Sequence, residues 1–257
     1  MSARPLRAGE GRRLAIWNLA VGLLHAIQGT IILVVGSDAS LPVFASWVDG
    51  PPATALPIQG EALFDLPIGL AVAVFLYLAA ADHLIVASPW ARPWYERNLA
   101  GTINYARWWE YSISASLMVV LIAMLAGTRE LTALVALFGV NAAMILFGLL
   151  MERGSRPGKD ADWWPFWVGS VVGIVPWIVI GIQLVRSQAE AQVPGFVFAI
   201  FVSLLLLFAL FPINMYLQYK RIGRWRDYVF GEYGYIVLSL TAKSVLAWQV
   251  FGGALAG

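Results

Sequence analysis

The sequence predicts an all-α integral membrane protein, a bundle of seven transmembrane helices with a β-hairpin in the first extracellular loop. Three observations lead there. The 257 residues are 60% hydrophobic and 12% charged, with a mean hydropathy of +0.74, so the main solvent of this chain is lipid. Apolar runs of about 20 residues or more, each long enough to cross a bilayer, recur seven times. The basic residues, finally, are sorted to one side of those runs, as a membrane chain requires.

The spans are expected at about 14–36, 64–87, 103–126, 131–151, 164–186, 195–219 and 233–252, forming a single domain over 1–257. The segment Met1 to Arg13 is short and basic, but the apolar run after it is too long for a signal-peptide core, so it is expected to stay as the first helix. With the N-terminus in the cytoplasm, that side collects fourteen of the 17 basic residues, from Arg4, Arg7, Arg12 and Arg13 through Arg153, Arg156 and Lys159 to Lys220, Arg221, Arg224 and Arg226. The opposite side keeps Arg129 and Arg186. This asymmetry puts the N-terminus inside, the C-terminus outside and the protein in the cell membrane.

The long connection from Gly36 to Gln59 holds Leu41 to Val48, then the turn cluster Asp49-Gly-Pro-Pro52, then a second partly apolar run to Ile58. Two short extended segments around a turn predict a hairpin over the outer face, whose apolar residues could also cover a partner subunit. Pro176 and Pro212 fall inside the fifth and sixth spans, where a missing backbone donor is expected to kink the helix and widen the interior. There are no cysteines and only two histidines, His25 and His83, which excludes thiolate chemistry, disulfides and an ordinary histidine metal centre.

Chemistry is signalled by charge in apolar surroundings. Lys243 stands in the middle of the last span, roughly ten residues from either end, or about 15 Å at the helical rise. Three explanations apply: a lysine snorkelling to the interface, a buried ion pair, or a covalent Schiff base. Ser239 lies one turn earlier on the same face. On the third span Glu110 has two candidate cations, Arg107 one turn away and Lys243; Ser114 and Met118 continue along its helix.

His25 and Gln28 share a face of the first span, and Asp82 and His83 are adjacent on the second. Together they predict a polar cavity able to take a proton, although Asp82 could simply face the interface. Glu152 and Glu232, at helix ends, read as solvated or salt-bridged surface positions. Trp108, Trp109, Trp177, Phe208 and Trp248, with Asn141 and Met144, are deep enough to wall a slot for a flat apolar ligand such as a conjugated polyene.

Specific runs sharpen this. Trp108-Trp-Glu-Tyr-Ser112, Phe138-Gly-Val-Asn-Ala-Ala-Met-Ile-Leu-Phe-Gly148, Gly173-Ile-Val-Pro-Trp177, Val193-Pro-Gly-Phe-Val197, Tyr216-Leu-Gln-Tyr-Lys220, Tyr235-Ile-Val-Leu-Ser-Leu-Thr-Ala-Lys-Ser244 and Asp49-Gly-Pro-Pro52 resemble heliorhodopsins, from about His25 to Phe251. The resemblance implies that Lys243 carries all-trans retinal as a protonated Schiff base, that Glu110 is its counterion, and that His25, Gln28, His83 and Ser239 lie near it. It places Phe208 where pumping rhodopsins have a ring-packing tryptophan. It also implies an inverted topology, a homodimer, and a long photocycle without ion transport. Asp82 departs from the pattern, an extra acid where the family is expected to have an apolar residue.

The leading expectation is therefore a light sensor, not an enzyme, whose partners are retinal, membrane lipid, a second copy of the chain and an acidic cytoplasmic signalling protein, with no nucleic acid. The alternative is light-driven or light-gated ion transport, disfavoured because the outward halves of the third and seventh spans, Leu117 to Leu125 and Val245 to Phe251, offer no carboxylate. An opsin-like scaffold without chromophore, or an enzyme acting through Lys243, comes last.

Overall fold

The computed structural model describes residues 6–47, 51, 61–158 and 160–256. Helix α1 (Glu10–Val35) leads into a two-stranded antiparallel sheet, β1 (Ser40–Ala45) and β2 (Glu61–Pro67), then α2 (Ile68–Ala87) and a short α3 (Arg92–Ala100). Next come α4 (Tyr105–Leu125), α5 (Leu131–Gly154), α6 (Trp164–Ala191), α7 (Gly195–Tyr219), a 3-10 turn (Gly223–Arg226), α8 (Tyr228–Val250) and a closing π turn (Phe251–Leu255). All but α3 are long and apolar enough to span a membrane, seven spans among the described residues. In lipid a helix is the form in which an unbroken chain satisfies its own backbone donors and acceptors, so each apolar run becomes one.

The spans form a ring. α1 packs on α2, α2 on α4, α4 on α5, α5 on α6, and α7 on α8, which returns to α1; α6 and α7 touch least. One apolar core, with Val72, Phe75, Met118, Ile122, Leu246 and Val250, fills the half of the bundle nearer the sheet. An aromatic core of Trp108, Tyr111, Tyr219 and Tyr235 fills part of the other half, the N-terminal end of the bundle, where α1 begins.

Several expectations need correcting. The second span begins at Ile68 rather than 64, because Pro67 is held extended at φ −64° and ψ 122° and, lacking a backbone N–H, ends β2 and starts the helix. The strand paired with β1 is thus Glu61–Pro67, in the register Ser40↔Pro67 to Ala45↔Glu61. The run expected to pair with it, ending at Ile58, lies outside the described residues, as does most of the expected turn at 49–52. The last span starts at Tyr228, five residues before the expected 233, since the Asp227 side chain accepts from the Val229 amide at 3.1 Å and caps it. Helix α3 is absent from the expectation: nine residues bearing three charges carry no span signal, yet Tyr95 and Leu99 are buried beneath the ends of α1 and α8.

The sheet closes one end of the bundle. The Phe44 amide donates to the Arg129 carbonyl at 2.9 Å, and Ser46 reaches the Glu130 carboxylate through its amide at 3.0 Å. Just before β1, the Ser37 amide donates to the Leu255 carbonyl at 3.0 Å, tying the closing π turn to the start of the sheet segment.

Candidate functional site

A lysine on a helix leans toward that helix's N-terminus, so Lys243 reaches back into the N-terminal half of the bundle. Its ammonium donates to Ser239 Oγ at 2.8 Å. The two Glu110 carboxylate oxygens lie 3.3 and 3.4 Å from it, and the Tyr111 ring centre 4.9 Å away. The side chains are 3% and 7% exposed, so this ion pair is shielded from water and lipid alike.

Lys243 also forms part of the wall of a cavity of about 390 Å³. Trp108, Tyr111, Met118, Met144, Trp177, Phe208, Phe211, Tyr235 and Ser239 line it, with Gly148, Gly169 and Gly173 where α5 and α6 meet. The aromatic wall is continuous: Trp177 meets Phe208 edge-on at 5.4 Å, and Tyr111 meets Phe211 at 5.5 Å. At Gly148 a Cβ would collide with the Trp108 indole, so only glycine lets that ring come so close to α5.

The other candidate cation for Glu110 is paired elsewhere. Arg107 Nη2 lies 2.5 Å from Glu152, and Nη1 is bonded to Glu232. Its guanidinium stacks over Tyr235 at 3.8 Å. Glu152 also accepts from Trp108 Nε1 at 2.6 Å, Tyr228 at 3.0 Å and the Asn104 amide at 3.0 Å, while Asn104 Nδ2 donates to Glu232 at 2.7 Å. Both glutamates are buried, which corrects the surface reading given to them. They join α4, α5 and α8 through one guanidinium, and Trp108 and Tyr235 carry that junction to the cavity wall.

On the side of α1 and α2, His25 and His83 stack with centroids 5.9 Å apart and planes at 14°. His83 Nδ1 lies 2.6 Å from Asn18 Oδ1, and Asn18 Nδ2 donates to the Leu14 carbonyl at 2.8 Å. Neither ring nitrogen of His25 has a hydrogen-bond partner among the described residues. Asp82 is half-buried. Outside the spans, Tyr95 of α3 is buried, and burial raises its hydroxyl above the usual phenol range.

The structure thus brings together Lys243, Glu110 and Ser239, and puts Met118, Met144, Trp177 and Phe208 in the cavity wall with Lys243. Others lie apart from that wall. Trp248 is 41% exposed and its indole donates to Gln28 Oε1 at 3.0 Å; Trp109 is 56% exposed. Asn141 is buried behind the wall, donating to Ser116 Oγ at 3.0 Å, and Ser114 is buried with its hydroxyl unpartnered among the described residues.

Sequence reading missed Tyr111, Phe211, Tyr235 and Asn18. A signal existed for the first: Trp108, Tyr111, Ala115 and Met118 follow one another at steps of three and four, one continuous helix face.

The sequence matches the heliorhodopsin family over residues 14–255. Among solved structures, the light-driven proton pump LR (Mac) from Leptosphaeria maculans is similar at a TM-score of 0.68 and 14% identity, over 97% of each chain, which is a likeness of fold. No curated protein matches the sequence. The fold is that of a microbial rhodopsin, and because the family match takes in Lys243, Glu110 and both histidines, the chain belongs to the heliorhodopsin family.

Proposed function

We propose that this protein is a light sensor that holds all-trans retinal covalently on Lys243, as a protonated Schiff base with Glu110 as counterion, and that moves no ion. The family implies a retinal photoreceptor. The observation that carries the finer reading is the placement of Lys243 in the wall of an aromatic cavity, with a buried carboxylate 3.3 Å from its Nζ. The cavity suits the group: about 390 Å³ falls in the range of small-molecule sites, and its rings give a polyene close contact without charge. When bound, retinal supplies a double bond that isomerises on absorbing a photon.

The rest is done by the chain. Glu110 balances the positive charge at the lysine nitrogen, and Ser239 fixes that nitrogen's direction through the 2.8 Å contact. Tyr111 stiffens the floor of the site, since its hydroxyl donates to the Tyr235 carbonyl at 2.9 Å. The pair His25 and His83, with Gln28 and Asp82, forms a polar region able to receive a proton from the nitrogen on Lys243. Motion at Trp108 or Tyr235 is transmitted to Arg107 and so to the N-terminal ends of α4 and α8 and the C-terminal end of α5.

The basic residues gathered at that end support a cytoplasmic N-terminus in the cell membrane, where a changed surface would meet an acidic partner protein. Exposed Leu63 and Phe64 on β2 support a homodimer. Against transport, α4 from Leu117 to Leu125 carries no carboxylate, and beyond Lys243 α8 offers Gln249, already bonded to Ser203 at 3.0 Å.

The test is the absorption spectrum of protein purified with all-trans retinal, beside Lys243→Ala. A visible band present in the first and missing in the second is expected, followed after a flash by slow recovery. A band that survives in Lys243→Ala overturns the covalent assignment. A protonophore-sensitive pH change in illuminated vesicles overturns the non-transporting one.

A further inference from the structure

A second hollow lies at the N-terminal end, away from Lys243 and its cavity. It measures about 420 Å³ and is lined by Arg7, Arg221, Arg224, Arg226, Asp227 and Phe230. Three of the arginines come from the link between α7 and α8, and its tight path turns them onto one space: Arg221 and Gly223 both have left-handed backbone, at φ 55° and 54°. The fourth comes from the segment before α1. The turn is anchored, with Trp225 Nε1 donating to Asn214 Oδ1 on α7 at 2.7 Å and the Arg226 Nε donating to the Arg221 carbonyl at 3.3 Å.

Four guanidiniums therefore face one lining carboxylate, and that carboxylate is occupied. Asp227 caps α8 through the Val229 amide and pairs with Arg7 at 3.4 Å. Glu10, the other nearby acid, accepts from the Arg7 amide at 2.6 Å. Arg221, Arg224 and Arg226 are exposed and have no ion-pair partner among the described residues. Their depth is marked by the neighbours. Lys220 Nζ sits over the Trp163 ring at 4.8 Å, and Tyr216 and Ile222 are exposed, an aromatic and basic border of the kind found where helices meet lipid headgroups.

We propose that this hollow binds the phosphate of an anionic phospholipid headgroup. A guanidinium fork matches phosphate in two-point contact, and basic pockets at the cytoplasmic ends of spans are suited to anionic headgroups. A soluble phosphate offers the same chemistry; the exposed Ile222 and Tyr216 beside the arginines favour the lipid. Because Asp227 caps the helix that carries Lys243, a bound headgroup would also clamp the start of α8 against the chain before α1.

The experiment uses the full chain in mixed micelles with phosphatidylcholine alone or with added phosphatidylglycerol, followed by washing and mass spectrometry of the retained lipid. Wild type is expected to retain phosphatidylglycerol selectively. The triple variant Arg221→Gln, Arg224→Gln, Arg226→Gln is expected to lose it, at about fivefold weaker binding for each arginine removed, while Arg97→Gln with Arg153→Gln retains it. Helical circular dichroism and the unfolding temperature show that the triple variant is folded; should it fail, the single variants Arg221→Gln, Arg224→Gln and Arg226→Gln replace it. Competition by millimolar inorganic phosphate, with no lipid selectivity, supports the phosphate site and assigns its ligand to the soluble pool. Equal retention by wild type and arginine variants, with no effect of phosphate, overturns the proposal.

Discussion

Glu110 faces Lys243 and not Arg107, although Arg107 lies one turn away on the same helix. The carboxylate is 3.3 Å from the lysine nitrogen, whereas the guanidinium is held between Glu152 and Glu232. With Arg107 withdrawn, Glu110 is the carboxylate in direct contact with the buried cation. A negative charge beside that nitrogen stabilises a positive charge localised there in the ground state more than one spread along the polyene after excitation. Glu110→Gln is therefore expected to move the visible band to longer wavelength, and Glu110→Asp to move it less, both read by absorption at fixed pH. An unmoved band in Glu110→Gln would remove Glu110 from the counterion role.

The Arg107 junction predicts a stability effect separable from colour. Removing one member of a buried ion-paired set leaves uncompensated charge and typically costs about 3–5 kcal/mol. Arg107→Met should lower the unfolding temperature sharply, because Glu152 and Glu232 then remain buried without their cation. Arg107→Met combined with Glu152→Gln and Glu232→Gln should recover much of the loss, since the charges go together. Thermal unfolding in detergent measures both, and a combined variant no more stable than Arg107→Met would contradict this account.

What the sequence made legible was charge against lipid. Lys243, Glu110 and the sided basic loops stand out because each ionised group in an apolar run is costly and must be explained. Which way an apolar side chain faces was far less legible. Lipid and protein interior are equally apolar, so a membrane helix has little polar-apolar alternation to betray its inner face. Trp248 and Trp177 look alike in the sequence, yet one is 41% exposed and the other 9%. The burial of Glu152 and Glu232 was hidden for a different reason: it depends on three helix ends meeting at Arg107, a contact between residues as much as 125 positions apart.

That difference in facing gives a paired prediction for the cavity wall. Trp177→Ala should shift the band and lower the yield of pigment, since Trp177 lines the cavity and supports Phe208 at 5.4 Å. Trp248→Phe should leave the spectrum close to wild type, because that indole is outside the lining and only its bond to Gln28 is lost. Gly148→Val should disturb the site from behind by displacing Trp108, with an overpacking cost of about 1–3 kcal/mol. Absorption and unfolding temperature of the three variants decide the matter; a larger spectral change in Trp248→Phe than in Trp177→Ala would reverse the assignment of the walls.

The histidine pair yields a prediction about where a proton can go. Asn18 donates its Nδ2 to the Leu14 carbonyl, which leaves Oδ1, an acceptor, facing His83 Nδ1 at 2.6 Å. Neutral His83 must then carry its hydrogen on Nδ1, and its open lone pair is on Nε2. Asn18 is in this way a positioning residue: it sets the tautomer without touching the lysine. Asn18→Leu removes the acceptor and releases the tautomer, so proton arrival in the histidine region after a flash should slow or become heterogeneous while the dark spectrum stays near wild type. Asn18→Asp, which keeps an acceptor oxygen, should restore much of the wild-type rate. Time-resolved infrared difference spectroscopy of the imidazole bands reads this directly, and identical kinetics in wild type and Asn18→Leu would show that the proton does not pass by His83.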